Sequence, residues 1–233
     1  MTPFFHDRSE AGRQLAAKLE SFVERDDVIV LALPRGGVPV AYEIAEFLHA
    51  PLDLMLVRKL GVPGHEELAL GAVALPDIAV FNHDVIRSAG VAEEDIDRVV
   101  AKESVELMRR NRLYRGGEPP PRLKDRIVIL VDDGVATGAT MHAAVIAVQQ
   151  QQPLRIVVAA PVASQEAYEA LGRQADEVIC LHAPAFFLGV GRFYEDFGQT
   201  SDEEVLALLE KARHWGKGHV KFAEEHKHAR SGL

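Results

Sequence analysis

Cysteine is almost missing from this sequence. Cys180, in the run DEVICLHA, is the one sulfhydryl among 233 residues, so no intramolecular disulfide is available and the fold must rest on its core. Long apolar runs are missing as well: no stretch approaches the roughly 20 residues that a bilayer-spanning helix needs, which excludes a membrane span. Positive charge is in deficit, with 26 Lys and Arg against 35 Asp and Glu and a formal charge of -9. Such a field opposes nucleic acid and anionic lipid, so an anion held by this protein must be captured by local geometry, and a small-molecule partner is expected. The opening MTPFFHDRSEAG lacks the basic-then-apolar order of a secretion signal, and a cytoplasmic protein is expected. Two familiar phosphate motifs are absent: there is no Gly-Lys-Ser/Thr loop, and GVG at 189–191 lacks the strand and third glycine of a dinucleotide fingerprint.

What is present is a regular alternation of short β-branched runs with longer stretches of helical period, the pattern of an α/β fold with a mainly parallel sheet. Hydrophobic residues make up 48% of the chain, enough for one sizeable core, and residues 1–233 are read as a single domain. Strands are expected at VIVLAL (28–33), LDLMLV (52–57), IVILV (127–131), RIVVAAPV (155–162) and EVICL (177–181), giving a five-stranded sheet. Their nearly continuous apolar character implies helices on both faces. Helices are expected over 10–23, 38–49, 93–114, 141–151, 164–171 and 201–213, the last opening on a Ser201/Glu204 capping box. Between the second and third strands lies an excursion over 59–126 with a loop, a short hairpin near GAVALPDIAVF (71–81) and the long 93–114 helix, which reads as a surface or dimer element. The four histidines of the tail at 214–233, interleaved with lysines, suit a charged helix better than a metal site.

The most informative stretch is VILVDDGVATGAT, residues 128–140. A buried strand delivers Asp132 and Asp133 to its carboxyl end, where open α/β sheets place their ligand sites. Gly134 and Gly138 let the backbone bend and approach a ligand, while Thr137, Thr140 and the first amides of the next helix supply converging donors. That is an anion cradle without a lysine. A carboxylate pair beside a dianion would repel it, unless the ligand sets neutral hydroxyls against the aspartates and its phosphate one sugar length away, as a ribose 5-phosphate does.

The same residues resemble the 5-phosphoribosyl 1-pyrophosphate (PRPP) signature of type I phosphoribosyltransferases. The resemblance implies that Asp132 and Asp133 hold the ribose 2- and 3-hydroxyls and that Gly134, Val135, Ala136, Thr137, Gly138, Ala139 and Thr140 wrap the 5-phosphate. LALPRGGVPVA (31–41) resembles the family's pyrophosphate loop, assigning Arg35, Gly36 and Gly37 to pyrophosphate, with an unusual peptide expected between Leu33 and Gly36. MLVRKLGVPGHEELALGAV (55–73) carries over Arg58 and Lys59 as catalytic cations, followed by a flexible lid at about 59–70. Magnesium is implied, bound mainly through PRPP and only indirectly by Asp132 and Asp133, in keeping with that ion's habit of keeping its water and using substrate phosphates. The base would be chosen by a hood built from 1–25 and 182–215, where Phe186, Phe187, Phe193, Tyr194 and Phe197 are the stacking candidates.

Ala136 stands where hypoxanthine-guanine enzymes carry an aspartate, so the pattern departs from theirs; adenine-specific enzymes also have alanine there, and no base is selected by it. Across nearly the whole chain the sequence is similar to bacterial phosphoribosyltransferases of undetermined acceptor. Two readings stand open. One is a transferase making a nucleotide from PRPP and a nitrogenous acceptor, with the long helix as its candidate homodimer surface. The other is a PRPP or nucleotide sensor that binds without turnover.

Overall fold

The computed structural model describes residues 4–213. Its centre is a five-stranded sheet in the order β2-β1-β6-β7-β8, with every pair parallel. The strands are β1 (Val28–Ala32), β2 (Leu52–Leu54), β6 (Ile127–Val131), β7 (Arg155–Val162) and β8 (Glu177–His182). Successive side chains of a strand leave opposite faces, so each apolar run feeds two cores at once. Val28, Val30, Ile127, Ile129 and Val157 meet Leu15, Ile44 and Leu48 of α1 (Arg8–Ala16) and α2 (Gly37–Leu48), together with Leu107 of α4 (Glu93–Arg115). Ile29, Leu31, Val128, Leu130 and Val158 meet Met141, Val145 and Val148 of α5 (Ala139–Gln149) and Leu171 of α6 (Gln165–Leu171) on the other face. This double coverage is why the strands read as unbroken apolar runs rather than alternating ones.

The excursion after β2 departs from the sequence reading in two places. LDLMLV does not form one strand: β2 ends at Leu54, whose carbonyl accepts from Arg115, and the chain turns away to begin β3 (Val57–Val62) in a separate sheet. Residues 59–70, read as an irregular loop, are instead mostly paired. β3 runs antiparallel to β4 (His65–Ala74), and β4 to β5 (Ile78–Phe81), so the expected hairpin at 71–81 is present and is joined by another with its tip at Pro63 and Gly64. The pairing slips at Leu60/Gly61 and Gly61/Val62, which breaks the even alternation that would have marked a strand. A short helix, α3 (His83–Ala89), follows, capped by Asn82 and by Gly90 in the left-handed region. Residues 202–213 are helical (α7), and the Glu204 amide donates to Ser201 Oγ at 3.1 Å as the capping box requires. The histidine-rich tail at 214–233 lies outside the described residues. Among the described residues no helix is long and apolar enough to cross a membrane.

Candidate active site

From β1 the chain crosses to β2 on one side, and from β6 it crosses to β7 on the other, so the gap between the carboxyl ends of β1 and β6 is the switch point of the sheet. Both candidate loops open there. Leu33 N donates to Val131 O at 2.8 Å, tying residues 33–37 after β1 to residues 132–140 after β6. A side chain at Gly36 would put its Cβ 2.1 Å from Asp133 Oδ2, and one at Gly37 would lie 2.7 Å from Val131 O and 2.9 Å from Asp132 Cα. Only glycine permits this approach of the two loops. The expected unusual peptide is the cis Pro34–Arg35 bond.

The aspartate pair is electrostatically uneven. Burial, and next the charge of Asp133, push the Asp132 carboxyl well above the usual carboxylate range, against a smaller opposing pull from Arg8. Asp132 Oδ1 accepts from the Asp133 amide at 2.9 Å. Asp133 has a counter-charge: Arg8 Nε donates to its Oδ2 at 2.8 Å, with both side chains little exposed at 12% and 14%. Arg8 also donates to Gly198 O at 2.7 Å, and its guanidinium lies over the Phe197 ring at 4.1 Å. The Tyr194 hydroxyl donates to the Asp133 carbonyl at 2.6 Å, and burial raises its pKa above the usual tyrosine range.

The loop after the aspartates is pinned from below and open above. Gly134 lies against Val190, Val135 N donates to Val162 O at 2.9 Å, and Ser164 Oγ donates to Ala136 O at 2.6 Å. Gly138 turns left-handed at φ 76°, and α5 starts at the next residue with the Ala139 amide on Thr137 Oγ1 at 3.4 Å. Among the described residues the amides of Ala136, Thr137, Gly138 and Thr140 have no protein acceptor, and the side chains of Thr137 and Thr140 are not buried. Unused donors at the positive end of a helix are what an anion needs.

The cations expected to act together are divided. Arg58 and Lys59 are neighbours in β3 and leave it on opposite faces. Arg58 Nε donates to Glu103 Oε2 of α4 at 2.6 Å. Lys59 lines a cavity of about 390 Å³ with Asn82, Ala139 and His142, a lining that includes the first residue of α5 but none of Arg35, Gly36 and Gly37. Arg35 stands 3.7 Å from Asp202, which also accepts from the Tyr114 hydroxyl at 2.5 Å; burial and that aspartate push the Tyr114 pKa up to about 12. Arg110, on the helix read as a surface element, lines a small crevice with Pro34 and Thr140, one residue from each loop.

The aromatic candidates for base stacking are placed unequally. Phe193 is 1% and Tyr194 4% exposed, packed in the core with Phe5, so neither ring is presented to a base. Phe187 is half-buried and stacks on Phe193 at 5.3 Å, whereas Phe186 is 71% exposed. Arg8, which sequence reading does not assign, supplies the ion pair to the Asp133 carboxylate.

Asp132 and Asp133 are hard oxygen donors, and among the described residues no group of three or more His, Cys, Asp or Glu is gathered to hold a metal. The pair suits an ion that arrives on substrate oxygens and keeps most of its water.

The profile of the phosphoribosyl transferase domain matches residues 6–196. Rv0571c of Mycobacterium tuberculosis H37Rv, whose name carries a provisional phosphoribosyl transferase assignment, is 44% identical over 220 residues, which cover 94% of this chain and 48% of that protein. The chain therefore spans about half the length of the curated relatives it matches. Among solved structures, TT1426 from Thermus thermophilus shares 46% identity at a TM-score of 0.80, covering 88% of this chain and 97% of its own.

Proposed function

Because this chain belongs to the phosphoribosyl transferase family, we propose that it moves the 5-phosphoribosyl group of PRPP to a nitrogenous acceptor and releases pyrophosphate. The observation that carries this reading is the meeting of the Arg35–Gly37 turn with Asp132 and Asp133 at the switch point, beside a loop of unused amides. The aspartates would accept from the ribose 2- and 3-hydroxyls, and residues 134–140 would hold the 5-phosphate. The acceptor nitrogen then forms its bond to C1 as the C1–O bond to pyrophosphate breaks. The bond pair leaves on pyrophosphate, and a proton on the acceptor nitrogen passes to solvent. Positive charge grows on the sugar and negative charge on the leaving oxygens, so donors on the pyrophosphate side lower the barrier. Arg35 and the amides of Gly36 and Gly37 are the candidates for this task. Lys59 and Arg58 would join them by a movement of the β3–β4 hairpin, which acts as the lid over the reaction and excludes water. Magnesium bound to PRPP would neutralise phosphate charge, with Asp132 and Asp133 touching it indirectly. The acceptor is a small molecule, the setting is cytoplasmic, and the exposed Val105 and Met108 of α4 favour a homodimer.

A second reading, binding without turnover, is supported by the engagement of Arg58 by Glu103 and Arg35 by Asp202. Calorimetric PRPP affinity beside pyrophosphate release over a panel of bases separates the two. For the enzyme, Lys59→Ala lowers turnover about a hundredfold or more with little loss of PRPP affinity, since the contact forms mainly in the transition state. Asp133→Asn weakens PRPP more than inorganic phosphate. If no base turns over and Lys59→Ala abolishes PRPP binding, the sensor reading replaces the transferase.

A further inference from the structure

The three-stranded sheet is held between α4 and α5, and its two cations go to different sides. Arg58 meets Glu103 of α4, whereas Lys59 leaves the other face with Ala72 and Val80, its cross-strand neighbours in one row of the sheet. Opposite that row stand Ala139, His142, Ala143 and Ile146, spaced i, i+3, i+4 and i+7 along one stripe of α5. Farther along the same sheet face, Val57 and Ala74 share a core with α5. At the row of Lys59 the two elements part, and a cavity of about 390 Å³ is left between them. Alanines on both sides, Ala72 and Ala143 at 5% and 4% exposure, keep it open. Packed interiors rarely leave such a space, and its volume lies within the roughly 300–1,000 Å³ of small-molecule sites.

The lining defines the chemistry of an occupant. Ala72, Val80, Ala143 and Ile146 make an apolar interior, and Phe81 adds a ring on which a flat molecule can stack. Acceptors in the wall are already engaged: Asn82 Oδ1 accepts from Val85 N at 3.2 Å, and Asp84 is paired with Arg87. Donors remain. Asn82 Nδ2 has no protein acceptor among the described residues, and the Lys59 ammonium carries three N–H groups. A flat apolar body ending in one carboxylate matches this set, whereas one ammonium and one amide are few for a phosphate dianion.

We propose that this cavity is a site for such a carboxylate, separate from the PRPP crevice, and that its occupant pins the β3–β4 hairpin against α5. Of the residues read as PRPP-binding, only Lys59 and Ala139 line it. The consequence for turnover rests on the transferase reading. With Lys59 held by the carboxylate and its strand held on α5, the movement that brings this lysine to pyrophosphate is blocked. Occupancy therefore lowers turnover and leaves PRPP affinity unchanged, because the lysine contact belongs mainly to the transition state.

The probes are 1-naphthoate and 1-naphthylmethylamine, fused rings of similar shape and opposite charge, with binding followed by ligand-observed NMR. Naphthoate is expected to bind, the amine about tenfold more weakly or worse, and saturating PRPP with magnesium should leave naphthoate in place. Val80→Phe and Ile146→Phe fill the cavity from the sheet and from the helix; each should abolish naphthoate binding, while unchanged PRPP affinity shows that the fold is intact. Asn82→Asp keeps the oxygen that caps α3 and replaces the donor by an acceptor, so naphthoate should weaken about tenfold. Should a filled variant lose PRPP, Asn82→Asp carries the decision, since it leaves the volume unchanged. Hydrogen exchange of residues 57–74 should slow with naphthoate in the wild-type protein and not in the filled variants. Pyrophosphate release, with whichever base supports it, should fall toward that of Lys59→Ala at unchanged KM for PRPP. No naphthoate binding, equal binding of the amine, displacement by PRPP, indifference to Asn82→Asp, or binding that survives in both filled variants each overturns the site. Binding with neither slower exchange nor lower turnover overturns the pinning. If no base turns over, the transferase reading falls, and the NMR and exchange results still decide the site and the pinning.

Discussion

Burial and the neighbouring charge of Asp133 make an ionised Asp132 unfavourable in the folded chain, yet the ribose hydroxyls of the proposed substrate call for an acceptor at that position. The pH dependence follows from the sign of the shift. An acid whose folded pKa lies above its unfolded value of about 3.9 lowers stability as pH rises above that value, and the penalty is complete above the folded pKa. Asn at 132 keeps the oxygen that accepts the Asp133 amide and removes the ionisation. Asp132→Asn is therefore expected to melt higher than wild type at neutral pH, with the advantage shrinking as pH falls and gone by about pH 4. Calorimetric melting across that range checks it; an advantage that grows toward acid would contradict the assignment. The two aspartates are legible in the sequence because carboxylates, glycines and hydroxyls stand together after an apolar strand. Arg8 is not, since its partner Asp133 lies 125 residues away and no local period announces a contact made only by folding. The sequence points to Tyr194 for its ring, whereas the structure uses its hydroxyl to hold Asp133.

The turn from β1 into α2 shows the same site as a property of elements. Since a Cβ at Gly36 would stand 2.1 Å from Asp133 Oδ2, Gly36→Ala must move either the carboxylate or the turn. Overpacking of this kind costs about 1–3 kcal/mol, so PRPP should bind roughly 5- to 150-fold more weakly. Inorganic phosphate, held in this reading by residues 134–140, should keep its affinity. Calorimetry with both ligands is the check, and an equal loss for both would mean that the whole crevice had shifted. The parallel strands and their helices are legible because burial on both faces writes a long apolar signal. The β3–β4 hairpin is not: LGVPGHEELAL places Pro63 and Gly64 at its tip, and the register slips about Gly61 interrupt the period of two. β2 is overrun because Met55 and Leu56 continue the apolar run, while the Arg115 contact that ends the strand comes from a distant helix.

Over the whole molecule, the N-terminal segment is fastened to residues 193–196, and through them to the aspartates. Phe4 N and Phe5 N donate to Phe193 O, Glu195 N to Phe5 O and Asp196 N to His6 O, at 3.0, 3.0, 2.9 and 2.8 Å. Phe5, 1% exposed, packs with Phe193, Tyr194 and Val162, and Val162 closes β7 of the central sheet. The packing therefore joins the segment expected to serve as the hood to the sheet rather than leaving it as a separate unit. Phe5→Ala empties a well-filled site, and such truncations cost about 3–5 kcal/mol. If the chain is one cooperative unit, the denaturation midpoint of the entire molecule should fall while the dependence on denaturant keeps its slope. PRPP affinity should fall too, because Tyr194 and Arg8 are the groups that hold Asp133 from this side. Urea unfolding followed by helix signal, with hydrogen exchange of residues 190–198, distinguishes the outcomes. An unchanged midpoint with fast exchange confined to those residues would mean that the segment opens on its own, and the single-unit reading would be lost.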